Sequence, residues 1–269
     1  MTLIAFIGGG NMASAIIGGL RKSGTRGDSI VVIDPGAAQR DKLQADFGVR
    51  TLAAADATLA QAGLVVWAVK PQLFNDAAAP CAPHVGHALH LSVMAGIRSS
   101  ALVRATGTER IVRTMPNTPA LVGQGMTGLF ARDAVSGPDR AQVETALAPT
   151  GQLLWVARED DLDAVTAISG SGPAYVFYFV EAMMAAAQQM GLSAEQGRQL
   201  ALGTFAGATS LALASPDSPS VLRERVTSKG GTTYAAITSM EASGVQADFV
   251  AAMLAAQRRA RELGDEFGA

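Results

Sequence analysis

Two clusters of small and hydroxylic residues in this 269-residue chain have the makings of a reactive site. The first is FIGGGNMA, in which Gly8, Gly10 and Ala13 follow the order G-x-G-x-x-A, with Gly9 between and Asn11 and Met12 opening a helix. That order supplies a tight turn, a bare backbone where a pyrophosphate can approach, and a small residue for close helix–strand packing. The second is TSKGGTTYAA, Thr227 to Ala236, whose lysine among glycines invites a phosphate-loop reading. A Walker-type loop needs G-x-x-x-x-G-K-[ST] after a strand. Here Lys229 precedes the glycines and the helical piece SVLRERV comes before it, so an ATP cradle fails on order and context. What remains is a helix start with hydroxyls and unspent N–H groups, suited to a carboxylate. The plainer alternative is that the glycines end one helix and the threonines cap the next.

Other residues fall where an open α/β sheet gathers its ligands, outside the carboxyl ends of its strands. Asp34 closes the apolar run IVVID, the place of an acid that hydrogen-bonds an adenosine ribose and repels a 2′-phosphate; Arg40, nearby, could answer such a phosphate but reads first as a solvated helix arginine. Ala68, Val69, Lys70 and Pro71 end LVVWAVKP, and Val93, Met94 and Ala95 follow ALHLS. MPNTP, Met115 to Pro119, is a rigid loop that could hold the Asn117 amide against a ligand, although a structural loop explains its prolines equally well. In SGSGPAYVF, Ser169 or Ser171 precedes a Pro173 suited to a first helical turn, which leaves amides free. Cys81, His84, His87 and His90 recur every third residue, but Pro83 and Gly86 break any helix and His90 starts a strand, so no metal site is read there.

Strand–helix alternation with fully apolar strands predicts a doubly wound parallel sheet over residues 1–160, with GMTGLFA and GQLLWVA extending it. Residues 161–269 carry only helical spacing, in stretches such as AYVFYFVEAMMAAAQQM, so an all-helical domain follows. The hydrophobic share is 49%, much of it alanine, which favours tight helix packing and a buried subunit interface. With 21 basic and 23 acidic residues the net charge is −2, which suggests neither a nucleic-acid partner nor an anionic membrane. No apolar run reaches the length of a membrane span, no signal peptide is visible, and one cysteine permits no intrachain disulfide; a cytoplasmic protein is expected.

Taken together these residues resemble pyrroline-5-carboxylate reductase. The family's C-terminal signature falls on Leu222, Val226, Thr227, Ser228, Gly230, Gly231, Thr233, Ala236, Ile237 and Met240. FIGGGNMA, AVKPQ, RTMPNTP and ISGSGPAYVF are similar to the same family, so the likeness spans nearly the whole chain. It implies a Rossmann domain, an interlocking helical dimerisation domain, and dimers that often assemble into decamers. It implies reduction of 1-pyrroline-5-carboxylate to L-proline by NADPH or NADH. By the same resemblance Thr233 stands near the ring nitrogen as the catalytic group. Gly230, Gly231 and Thr232, with Val226, hold the substrate carboxylate side, and Asn117 and Ser171 line the nicotinamide side. Asp34 departs from the smaller residue many members carry. A β-hydroxyacid dehydrogenase is the rival enzyme class, but it needs a lysine base on the helix that follows the glycine turn, and GSGPAYVFYFVEAMMAAAQQM has none. A coenzyme-binding protein without turnover is the rival outside enzymes; the residues gathered on the substrate side argue against it.

Overall fold

The computed structural model describes residues 3–268. The first part alternates strands β1 (Leu3–Ile7), β2 (Ile30–Ile33), β3 (Arg50–Leu52), β4 (Ala62–Trp67), β5 (Leu89–Ser92), β6 (Ile111–Met115), β7 (Gly125–Ala131) and β8 (Gly151–Trp155) with helices α1 (Asn11–Lys22), α2 (Ala37–Phe47), α3 (Phe74–Ala78), α4 (Ala82–Val85), α5 (Ser99–Thr106) and α6 (Gly137–Leu147). Then come α7 (Asp161–Val165), a π-turn at Thr166–Gly170, α8 (Gly172–Gln189), α9 (Ala194–Ala214), α10 (Pro219–Arg225), α11 (Thr232–Ala242) and α12 (Val245–Gly268). Among the described residues no strand follows β8.

The strands form one eight-stranded sheet in the order β3-β2-β1-β4-β5-β6-β7-β8. β1 to β6 are mutually parallel, β7 runs antiparallel to β6, and β8 parallels β7. The wholly buried β2 and β5 explain the continuous apolar runs, because helices cover both faces. Alternate residues feed two cores. Phe6, Val32, Val66 and Leu91 pack with Ile16, Ile17 and Leu43 of α1 and α2. Ile7, Val31, Val65 and Trp67 pack with Phe74, Val85 and Leu102 of α3, α4 and α5. The chain runs outward from β1 to β3 and returns to β4, so β1 and β4 flank the point where strand order reverses.

Two compact units emerge. One runs to Pro173 and resumes at Ala255; the other spans Ala174–Leu254. The first has the sheet and both cores. In the second, the only buried apolar side chains among the described residues are Val180, Ala187, Ala201 and Met253. Phe177, Tyr178, Met190, Leu200, Leu211 and Leu213 are exposed there. No described helix is long and apolar enough to cross a membrane.

Candidate active site

The glycine turn sits at the reversal point between β1 and β4. Gly8 has φ +94°, and a Cβ there would lie 2.7 Å from the Ala68 carbonyl oxygen, so glycine is required for both conformation and space. Gly8 donates its amide to Ile33 at 2.8 Å and Ala68 donates to Ile7 at 2.8 Å, which fixes the turn to both neighbouring strands. Gly9 has no room for a side chain either, since a Cβ would meet Leu43 at 2.6 Å. Gly10 faces open space. It is the N-cap of α1 and no side chain caps that helix, so its first-turn amides are unspent. An open backbone before an uncapped helix start fits a pyrophosphate.

The cleft beyond this turn has a volume of about 530 Å³ and is lined by Gly8, Gly9, Gly10, Asp34, Ala68, Val69 and Lys70. The Asp34 carboxylate accepts the Gly9 amide at 2.9 Å and the Gly36 amide at 2.8 Å. Arg40, which reads from sequence as a solvated helix arginine, instead donates to the carbonyls of Asp34 at 2.8 Å and Pro35 at 2.9 Å. Gln39 donates to the Gly9 carbonyl at 2.5 Å. Ala53, Ala54, Ala55, Leu73, Ala77 and Pro80 make the apolar end of the cleft. None of these is legible as a lining residue in the sequence, since runs of alanine carry no chemical signal. Cys81 also lines the cleft, is buried, and has its thiol pushed up to about 11 by that burial.

The remaining loops approach the same carboxyl edge of the sheet. Lys70 is extended before Pro71, which opens a short turn. Val93 donates its amide to Trp67 at 3.0 Å, while the Met94 side chain is buried in the core and its amide donates to Ser92 Oγ at 3.3 Å. Ala95 is exposed. Behind this loop, a Cβ on Gly96 would lie 3.2 Å from Phe267 and 3.3 Å from the Leu263 carbonyl, so the end of α12 buttresses it.

After β6 the loop Met115–Pro119 meets the π-turn. Asn117 donates through Nδ2 to the Ser169 carbonyl at 3.1 Å and accepts the Met126 amide on Oδ1 at 2.9 Å. A Cβ on Gly170 would lie 2.5 Å from Met115 Cε. A Cβ on Gly128 of β7 would meet Val165 at 2.7 Å, so this bare position lets α7 lie close on the sheet. The expected helix starts at Gly172 with Pro173 in its first turn, but the expectation that the amides ahead of it are free is corrected. α7 and the π-turn run almost directly into α8, and Ser171 donates its amide to Thr166 at 2.9 Å. The Ser171 hydroxyl has no protein partner among the described residues.

In the second unit, α10 ends at Arg225 and Val226 lies half out in solvent, 64% exposed. Gly230 has φ +75° and Gly231 is the N-cap of α11, donating to Ser228 at 2.9 Å. No side chain caps α11, and the hydroxyls of Thr232 and Thr233 have no protein partner among the described residues. The plainer alternative, threonines capping the next helix, is therefore not what the structure has. The three histidines do not converge either. His90 is fully buried and bonded to Trp67 and Val85, and among the described residues no group of three potential ligands could hold a metal.

Comparison with known proteins gives the rest. Residues 159–263 match the family model for pyrroline-5-carboxylate reductase dimerisation, and residues 3–96 match that for NADP oxidoreductase, coenzyme F420-dependent. A pyrroline-5-carboxylate reductase of Pseudomonas aeruginosa is 43% identical over 98% of each chain. The solved structure of one from Coxiella burnetii superposes with a TM-score of 0.89 at 36% identity, covering 97% of this chain and 98% of that one. A Plasmodium falciparum pyrroline carboxylate reductase, solved with NADP bound, gives a TM-score of 0.87 at 27% identity over 98% of both chains. Likeness at this level, over nearly the full length in both sequence and fold, means that the chain belongs to the pyrroline-5-carboxylate reductase family.

Proposed function

We propose that the cleft at the β1–β4 reversal takes the nicotinamide dinucleotide and that the start of α11 takes the substrate. The chain reduces 1-pyrroline-5-carboxylate to L-proline, the last step of proline biosynthesis. The bound coenzyme, NADPH or NADH, supplies the hydride. What supports the first assignment is the open Gly10 before an uncapped α1, with Gly8, Gly9, Asn11 and Met12 around the pyrophosphate. Ala68, Val69, Lys70, Pro71, Val93, Met94 and Ala95 follow the coenzyme toward its nicotinamide end, and the loop at Asn117 with Ser171 lines that end. Asp34 stands on the ribose rim of the cleft, and Arg40 lies beside it on the Asp34 and Pro35 carbonyls. The carboxylate disfavours a 2′-phosphate and the guanidinium favours one, so together they set the balance between the two coenzymes.

The observation that carries the second assignment is the helix α11 whose first-turn amides and hydroxyls have no protein partner among the described residues. Gly230 and Thr232 offer backbone donors to the carboxylate of the substrate, flanked by Val226 and by Gly231, whose own amide is taken by the Ser228 carbonyl. Thr233 hydrogen-bonds the ring nitrogen. A protonated imine is already electrophilic, so positioning and a hydrogen bond suffice and no general base is required of this chain. The second unit exposes too much apolar surface to stand alone, and a homodimer covers it; such dimers are the building block of a decamer.

The test is oxidation of NADPH and of NADH with 1-pyrroline-5-carboxylate supplied, together with Thr233→Ala. Turnover with at least one coenzyme and a Thr233→Ala loss in kcat that exceeds any change in coenzyme affinity support the assignment. No turnover with either coenzyme overturns the reading of the cleft. An unchanged rate in the variant removes Thr233 from the mechanism.

A further inference from the structure

Asn117, Met126 and Ser169 form a closed ring of hydrogen bonds. Nδ2 of Asn117 donates to the Ser169 carbonyl at 3.1 Å and to Ser169 Oγ at 3.3 Å, while Oδ1 accepts the Met126 amide at 2.9 Å. Ser169 Oγ closes the ring by donating to the Met126 carbonyl at 3.4 Å. Both contacts of the carboxamide nitrogen thus go to Ser169, and its oxygen is held by the Met126 amide. The ring ties together three pieces far apart in sequence: the loop after β6, the start of β7 and the π-turn. Met115 against Gly170 adds a steric lock beside it. Single π-turns of this kind occur often at functional sites, and this one ends at Gly170, directly before the free hydroxyl of Ser171.

We propose that Asn117 and Ser169 are positioning residues: their clamp fixes the loop after β6 against the π-turn, and so sets how the nicotinamide end is held for hydride transfer. This rests on the assignment of that loop and Ser171 to the nicotinamide side. The glycine turn and the adenosine end lie on other elements, so coenzyme affinity survives loss of the clamp while the reacting geometry does not. Misplacement by about 1 Å costs rates on the order of a hundred-fold.

The test uses Asn117→Ala, Asn117→Asp and Ser169→Ala in the full chain. In Asn117→Asp the ionised side chain sets a carboxylate oxygen against the Ser169 carbonyl, whereas the neutral acid can donate to that carbonyl again. The expected result is kcat lower by roughly ten- to a hundred-fold in Asn117→Ala, with coenzyme KM within about two-fold of the parent. Reduction with 4-deuterated coenzyme then shows a larger isotope effect in the variant, because hydride transfer has become slower. The ratio of Asn117→Asp to parent kcat climbs as pH falls, while the Asn117→Ala ratio stays flat, and dividing by the parent removes the substrate's own titration. Ser169→Ala, which loses only the hydroxyl, falls between. An unchanged kcat with a raised KM in Asn117→Ala overturns the clamp and makes Asn117 a ligand contact. A pH-independent Asn117→Asp ratio overturns it as well. Absence of turnover in the parent protein is a different failure, that of the underlying site assignment.

Discussion

The Asp34 carboxylate spans from the end of β2 to the glycine turn after β1, taking the Gly9 amide on Oδ2 at 2.9 Å and the Gly36 amide on Oδ1 at 2.8 Å. It is a strut of the turn as well as a charge on the wall of the cleft. Asp34→Ser removes the charge that repels a 2′-phosphate, so the NADPH-to-NADH ratio of kcat/KM rises by about ten-fold. Arg40→Ala moves the ratio the other way, since its guanidinium lies on the Asp34 and Pro35 carbonyls beside the same wall. Initial rates with each coenzyme check both directions, and an unmoved ratio in both variants places the discrimination elsewhere.

Gly264 and Arg98 give a second prediction. A Cβ on Gly264 would lie 2.7 Å from Arg98 Nε, and Arg98 cannot swing away freely because it also pairs with Asp160 at 3.0 Å and Asp163 at 3.3 Å. Gly264→Ala therefore lifts the end of α12, and with it Leu263 and Phe267 behind Gly96. Overpacking of this kind costs about 1–3 kcal/mol. The loop Val93–Ala95 loses its buttress, so coenzyme KM rises and amide exchange at residues 93–96 speeds up. Unchanged exchange there shows that the loop does not depend on α12.

Much of this site is legible in the sequence because the signals are local. The glycine turn, the helices Asn11–Lys22 and Ala37–Phe47, and the strand ends at Asp34, Ala68 and Val93 each follow from a short pattern. β3 is not legible, because Arg50–Leu52 is a three-residue edge strand with none of its residues buried. Nor is the antiparallel direction of β7, since a buried strand shows the same apolar alternation whichever way it runs. The Asn117–Ser169 clamp joins residues 52 apart in sequence and has no local signature. Likewise Arg40 reads as an ordinary helix arginine until its acceptors are known.

Arg113 on β6 is buried and paired with Glu159 at 3.1 Å, and burial pulls its guanidinium below the usual value. Glu159 also accepts the Ser99 amide and hydroxyl, both at 2.6 Å, so one carboxylate joins α5, β6 and the approach to α7. Glu159→Gln leaves a buried cation with Asp163 as its remaining neighbouring acid, and stability falls by about 3 kcal/mol in urea unfolding. Arg113→Met added to Glu159→Gln recovers part of that loss, because the uncompensated charge is gone. If the double variant is no more stable than Glu159→Gln alone, the pair is not the source of the penalty.

His90 predicts how stability depends on pH. Its Nδ1 accepts the Trp67 indole N–H at 2.9 Å and its Nε2 faces the Val85 carbonyl at 3.1 Å, which fixes the neutral tautomer with hydrogen on Nε2. A second proton would go on Nδ1, directly against the indole donor, in a site with no solvent exposure. Burial accordingly lowers the imidazole from 6.5 to about 4. The unfolded chain takes up this proton below about pH 6.5, whereas the folded one resists until about pH 4. Stability is therefore full above pH 6.5 and falls as pH drops toward 4, by up to about 3 kcal/mol. His90→Gln keeps an acceptor for Trp67 and a donor for Val85 without the titration. Urea midpoints between pH 7 and pH 4.5 should decline less steeply in that variant than in the parent, and parallel declines would assign the acid sensitivity to other groups.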